Sequence, residues 1–325
     1  MTQLEDIRTV FVWLTCFGVV LMHGENTNAN EALPPHASAR LGSVAWRQGA
    51  GWPDIVFLAD GKLLASATEG PPMSSMFPGD IFSDEMSRDE PDELELERSA
   101  IRLWDISTGC QIGPLRGHTV SPGRLAVSPN GRWLASGGWD QTVRIWDMHT
   151  ATQRFCLKGH PAFIHSLAAS RDGKWIASAS GNGTPGSDIG EIRVWHADSG
   201  ECHLALTELK EEPIALAFSA DGKTLSAGCC AGVIRCWDIP SGRSSHFFKV
   251  PASGPPAGDG IIRSLHYSLD GSTIATVGPD WSIRFWTANE FTLKRTIRPK
   301  GESRTCKIAF SPDGRLLASV SEVSP

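Results

Sequence analysis

The sequence predicts an all-β fold made of repeated four-stranded antiparallel units, and three observations predict it. A turn-forming string recurs six times, at Asp60–Ser66, Asn130–Ser136, Asp172–Ser178, Asp221–Ala227, Asp270–Thr276 and Asp313–Ser319, each with Gly in second place. An alternating apolar–basic–apolar–Trp segment follows five of the six, ending at Trp104, Trp146, Trp195, Trp237 and Trp286. The composition fits: 33 Gly and 21 Pro supply turns, and 12 Trp against one Tyr reflect the periodic indoles. With 41% hydrophobic and 20% charged residues in 325, the chain can bury a core, which excludes a disordered chain. No apolar run reaches the roughly 18 residues of a membrane-spanning helix.

The elements follow in order. Asn-Gly and Asp-Gly tolerate the positive φ of tight hairpins, so each recurring string joins a strand a, such as Leu125–Val127, to a strand b. Strand c is the Trp segment, whose alternation suits a strand with one buried face. Strand d comes next, as in Thr152 to Leu157 ahead of Gly159-His160. Successive Asp/Asn-Gly positions are 70, 42, 49, 49 and 43 residues apart.

Units of this length, opening on Gly-His and closing on Trp-Asp, resemble the WD-repeat (WD40) β-propeller family in a degenerate, bacterial-type form. The resemblance covers roughly residues 41–325 and rests on fixed offsets: His118, Asn130, Ser136, Asp140 and Trp146 stand 12, 6, 4 and 6 apart. The fifth unit keeps the last of these with Thr276, Asp280 and Trp286. The resemblance implies five full blades plus a partial sixth, C-terminally incomplete, and a buried His–Ser/Thr–Asp–Trp hydrogen-bonded network within a blade. A buried imidazole and carboxylate are costly unless every group finds a partner. The network carries over in full only to His118, Ser136, Asp140 and Trp146. The third unit has His160, Ser178 and Trp195, with Asp188 one place out of register. Gln48, Leu209, Gly258 and Gly301 stand where the other units would need His. Most blades are therefore expected to hold by apolar packing and strand ladders.

Both ends depart from the repeat. Ser43–Trp46 reads as a strand closing the last blade, because exposed edges invite pairing with other chains. In the sixth unit the Asp and Trp offsets fall at 323 and 329, where the chain has Val323 and then stops, so strand c is absent. A six-bladed ring with one defective blade, and a missing seventh blade, both stay open. Residues 1–40 are expected to lie outside the propeller. Val10 to Met22 has the length of an export-signal core, but Glu5 and Asp6 outweigh Arg8, and Thr15 is a poor residue before a lipoprotein-type Cys16. Export or membrane anchoring stands beside a non-exported segment. The eight cysteines fit no zinc pattern, Cys236 reads as a small buried hydrophobe, and free thiols favour a reducing compartment such as the cytoplasm over export.

No catalytic residue, cofactor or metal is expected. The Asp-Gly strings lack the alternating oxygen ligands of a calcium loop. His196, Asp198, Cys202 and His203 gather near one turn without a metal-binding spacing, and no nucleophile elbow or phosphate loop is present. A net charge of −6 gives no global attraction for nucleic acid.

The insertions carry the functional expectation. Ser66 to Trp104 spans 38 residues and Ser178 to Trp195 spans 17, against 10 from Ser136 to Trp146. Both excesses lie between strands b and c, and the Pro/Gly-rich 251–260 lies between d and a, which puts all three on one face. Residues 71–98 hold nine acids and two bases, a net −7 that exceeds the charge of the whole chain. Ile81 and Phe82 interleave with Asp84, Glu85, Asp89, Glu90, Asp92 and Glu93, the pattern of an acidic–apolar docking segment for a basic protein surface. The solvated loop without a partner is the plainer reading. The expected role is a monomeric, non-catalytic scaffold for other proteins. The alternative is the sensor or regulatory propeller of a larger, membrane-tethered signalling protein, and an enzyme is the third reading.

Overall fold

A computed structural model describes residues 8–15, 18–19, 54–58, 61–67, 99–181, 190–251, 260–298, 303–311 and 316–323. They hold six four-stranded sheets. Five have the order expected of a blade. The first comprises β3 (Asp54–Phe57), β4 (Leu63–Ala67), β5 (Ile101–Asp105) and β6 (Gln111–Leu115). The second has β7 (Pro122–Val127), β8 (Trp133–Gly138), β9 (Val143–Asp147) and β10 (Thr152–Leu157). The third has β11 (Phe163–Ala169), β12 (Trp175–Gly181), β13 (Gly190–His196) and β14 (Cys202–Leu209). The fourth has β15 (Pro213–Phe218), β16 (Thr224–Cys229), β17 (Val233–Asp238) and β18 (Ser244–Lys249). The fifth has β19 (Ser264–Tyr267), β20 (Thr273–Val277), β21 (Ile283–Thr287) and β22 (Leu293–Ile297).

The sixth sheet differs. Its strands a and b are β23 (Ser303–Phe310) and β24 (Leu316–Val323). The place of strand c is taken by β1 (Arg8–Thr15), which runs parallel to β24 in the register Phe11 to Ser319, with β2 (Gly18–Val19) outside it. Part of the apolar N-terminal run is therefore a strand that pairs with the last hairpin. Ser43–Trp46, the expected closing strand, lies outside the described residues. The physical reason for the exchange is the one that motivated a closing strand: an open b edge offers a full row of backbone hydrogen-bonding groups.

Turn chemistry explains the hairpins. In the second to fifth sheets the Gly of each a–b turn takes a positive φ of 66–73° and gives its N–H to the carbonyl of a Ser three residues earlier. The Ser219 and Ser268 hydroxyls donate to Asp221 and Asp270 at 2.6 Å and hold those carboxyls below their usual range. The Asp after Trp also forms a turn: Asp105, Asp147 and Asp238 each accept backbone N–H groups of the c–d connection.

The core lies between sheets rather than within them. Five apolar clusters bridge successive sheets, from Leu103 with Leu125 and Trp146 at the first seam to Phe285 with Ile308 and Leu317 at the fifth. The innermost strands β3, β7, β11, β15, β19 and β23 contact one another in succession. Polar side chains stitch their edges. Asp54 accepts Leu125 N–H at 2.8 Å, Ser166 accepts Leu216 N–H at 3.1 Å, and Ser264 accepts Ile308 N–H at 3.3 Å. Arg124 Nε donates to the His165 carbonyl at 2.6 Å, and Ser226 bonds the Tyr267 hydroxyl at 2.7 Å. At the last seam, Lys307 Nζ reaches Asp54 Oδ1 at 2.8 Å and ties the sixth sheet to the first. The result is a β-propeller with five full blades and a partial sixth.

Candidate functional site

Beneath the insertion-bearing face, the second blade brings together all four residues expected of its network. Trp146 Nε1 donates to Ser136 Oγ at 2.8 Å, Ser136 Oγ lies 2.7 Å from His118 Nε2, and His118 Nδ1 lies 2.9 Å from Asp140 Oδ2. With the imidazole proton on Nδ1, each group in the chain donates to the next, and no polar atom in it is stranded. Thr142, which the sequence reading did not single out, adds its hydroxyl to Asp140 at 2.8 Å. Burial alone would raise the Asp140 carboxyl. The hydrogen bonds from His118 and the Thr142 hydroxyl carry it below the usual range instead. Gly138 makes room: a Cβ there would sit 2.5 Å from both His118 Nδ1 and Asp140 Oδ1.

The third blade solves the same problem with hydroxyls. His160 Nε2 lies 2.6 Å from Ser178 Oγ, which also accepts Trp195 Nε1 at 2.8 Å. His160 Nδ1 lies 2.8 Å from Ser180 Oγ. Asp188 lies outside the described residues, and Ser180, two places after Ser178, is the partner instead. Burial and the nearby Arg193 guanidinium push His160 down to about 3, so it is neutral at pH 7.

The fifth blade shows a substitution that the sequence reading missed. Trp286 Nε1 donates to Thr276 Oγ1 at 2.9 Å, as the offsets predict. Asp280 is held by Arg284, whose two terminal nitrogens reach its two oxygens at 2.8 and 2.7 Å. Arg284 Nη2 also donates to the Pro251 carbonyl at 2.8 Å, and the side chain is only 1% exposed. A Cβ on Gly278, the counterpart of Gly138, would run into this guanidinium. Arg284 thus fills the space that an imidazole fills in the second blade. The visible signal was an Arg four residues after the Asp, as Arg144 follows Asp140.

The remaining blades are simpler. Trp104 Nε1 donates to Ser66 Oγ at 2.9 Å in the first. In the fourth, Ala227 offers no hydroxyl and buried Leu209 takes the histidine's position, so that blade packs by apolar contact. Cys236 is fully buried there and burial raises its thiol to about 11, consistent with an inert hydrophobe. In the sixth, Ser319 Oγ is buried and has no hydrogen-bond partner among the described residues.

The antiparallel order sends the b–c and d–a connections to one face, including 68–98, 182–189 and 252–259. These stretches lie outside the described residues, and with them Ile81, Phe82, Asp84, Glu85, Asp89, Glu90, Asp92 and Glu93. The described ground around them is polar and aromatic. Trp139 stacks on Phe163 with centroids 4.8 Å apart, and Arg263 covers the Trp281 ring at 3.5 Å. Arg193 pairs with Glu191, and Arg235 with Glu211. On the opposite face His196 and His203 lean on Trp175, with ring centroids 4.3 and 4.6 Å away, so their grouping is an aromatic cluster. Among the described residues no set of three or more His, Cys, Asp or Glu side chains is placed to hold a metal ion. No described helix is long and apolar enough to cross a membrane.

The family model of the WD domain, G-beta repeat, matches residues 109–147, 151–184, 204–238 and 253–287. Four WD repeats thus lie within residues 109–287, and the fold around them is a β-propeller. Among curated relatives, periodic tryptophan protein 2 of Arabidopsis thaliana is 23% identical over 172 residues, 41% of this chain and 19% of that protein. WD repeat-containing protein 70 of Xenopus laevis is 25% identical over 42% of this chain and 23% of its own length. Human apoptotic protease-activating factor 1 is 36% identical over 28% of this chain and 7% of its own. The matches thus span less than a quarter of each of these relatives. A chain from the crystal structure of the mitotic checkpoint complex superposes with a TM-score of 0.61 at 19% identity, over 82% of this chain and 70% of that one. That likeness speaks to the fold.

Proposed function

We propose that the protein is a non-catalytic interaction scaffold that presents its long connections on one propeller face to other proteins. WD-repeat propellers generally serve as protein-interaction platforms, and the titratable groups described in this chain are spent on structure. His118 and Asp140 stabilise each other, His160 is sealed between two serines, and the repeated aspartates close turns. The single observation that carries the reading is the placement of length and charge. The largest insertion, with a net −7, sits on a b–c connection, while the a–b hairpins on the opposite face stay short. Ile81 and Phe82 would anchor in apolar pockets and the acids from Asp84 to Glu93 would meet a basic rim, an arrangement in which charge sets association rate and specificity.

Replacing residues 71–98 by a Gly-Ser linker of equal length tests this. The expected result is loss of the partners that the intact chain retains at low salt in a pull-down, with thermal melting unchanged. An identical set of retained proteins from both chains overturns the reading.

A further inference from the structure

Among the described residues each full blade ends in an outer strand with one unpaired edge, and folds guard such edges with prolines, bulges or lysines. Four of the five are guarded here. β6 contains Gly113 and Pro114 in its middle. β10 carries Arg154. β14 is interrupted by two register shifts. β22 places Lys294 and Arg295 at its centre. The irregularity next to the Trp is common to all five outer pairs and distinguishes none of them.

β18 is the least guarded, its one base standing at the very end of the strand. Ser244-Ser245-His246-Phe247-Phe248 has no proline or charged side chain before Lys249. Among the described residues it pairs with β17 alone, and no strand covers its other side. Phe247 is 57% exposed, the most exposed of the large apolar side chains described. The strand is nevertheless held in place. His246 and Phe248 both lie against Phe291 of the next blade, at 4.5 and 5.2 Å between centroids, and Arg235 covers Phe247 at 5.0 Å. A fixed, extended, half-apolar edge loses little entropy when a further strand is added.

Charge selects the occupant. From Ile239 to Pro251 the chain has two bases, Arg243 and Lys249, flanking His246, and no acid. A second copy of β18 laid antiparallel would bring those bases near their own kind, which disfavours self-pairing. We propose that the outer edge of the fourth blade accepts an extended polypeptide segment of alternating apolar and acidic residues by β-strand addition. Backbone hydrogen bonds along β18 hold it, an apolar side chain covers Phe247, and acids lie toward Arg243 and Lys249. This surface is on the perimeter and shares no residue with 71–98, so it stands or falls apart from the docking loop.

The test uses the full chain and a fluorescein-labelled, end-capped seven-residue peptide of alternating valine and glutamate, read by anisotropy. The expected result is saturable binding that weakens by at least about tenfold in Phe247→Lys and in the Arg243→Glu/Lys249→Glu double variant. Ile112→Lys, a matched change on guarded β6, leaves binding unchanged. Methylating alternate peptide amides on the pairing edge abolishes it, which separates strand addition from side-chain adhesion. Because Phe247, Arg243 and Lys249 are exposed, all variants are expected to melt with the parent chain; if Phe247→Lys does not, the double variant decides. Absence of binding, equal binding of the methylated peptide, equal binding of a valine–lysine peptide, or an equal loss in Ile112→Lys each overturns the proposal. So does light scattering that shows dimers abolished by Phe247→Lys, since a second copy would then be the occupant.

Discussion

The second and fifth blades pose the same question to a buried aspartate and receive different answers. Asp140 meets an imidazole, and Asp280 meets a guanidinium anchored on the neighbouring strand. In both blades a glycine two residues before the Asp leaves the room, and a Trp ten residues after the hydroxyl residue seals the floor. The position demands a donor of the right reach, not a particular residue. The answers differ in geometry: the imidazole links one hydroxyl to one carboxylate, and the guanidinium grips both carboxylate oxygens.

The largest effect should come from removing what the two blades share. Trp146→Ala removes a buried indole that also donates to Ser136, and should cost about 3–5 kcal/mol in urea unfolding. Trp286→Ala should fall in the same range; a loss under about 1 kcal/mol in either would break the equivalence of the two sites. Next comes the substituted donor. Arg284→Met removes the countercharge of Asp280, which keeps the Ser282 hydroxyl at 2.6 Å, and should cost about 3–5 kcal/mol, the usual penalty for breaking a buried ion pair. Asp280→Asn in that background should restore part of it, and a double-mutant cycle measures how much.

The third blade sharpens the contrast through pH. His160 takes up a proton near 6.5 when unfolded but only near 3 when folded. Between those values the unfolded chain binds more protons, so stability is full above about pH 6.5 and is lost as pH falls toward 3. The slope approaches about 1.4 kcal/mol per pH unit for one such group. His160→Gln should flatten the stability profile between pH 7 and pH 5 in urea melts, within the limit set by His266, which its surroundings also push down to about 4. An unaltered slope would show that His160 is exposed to protons in the folded state. The smallest effect belongs to the seams. Ser166→Ala leaves the Leu216 N–H without its acceptor and should cost about 1 kcal/mol. Lys307→Met removes a half-exposed base from a largely buried carboxylate that keeps the Leu125 N–H, and should cost about 1 kcal/mol, chiefly at low salt.

Much of this was legible in the chain. The six turn strings and five Trp segments place the hairpins, strands a to d and the sheet order, because turn chemistry and period-two alternation are local. The network of the second blade was legible because its four residues keep fixed offsets. The fifth was only half legible. The offsets gave Thr276, Asp280 and Trp286, but Arg284 fills the gap from a strand position where five blades carry arginine and only one buries it completely. Ser180 was hidden for a similar reason, since a serine in strand b looks like any other until the histidine lands on it. The strand at Arg8–Thr15 was missed outright. Its apolar run has the length of several things, and its partner, Leu316–Val323, lies some 300 residues away with no local signal. The alternation of Ser, Asp, Lys and Arg at the inner edges was equally silent, because each stitch depends on the strand beside it in space.

The ionic joint between Lys307 and Asp54 sets the molecule's response to its medium. Counterions weaken an attraction that reaches solvent, as at Lys307, but leave amide hydrogen bonds almost untouched. As ionic strength rises, the circle should therefore relax first where its two ends meet, opening there like a bracelet at its clasp. Deuterium uptake along Asp54–Phe57 and Ser303–Phe310 would register this before any other part of the inner wall.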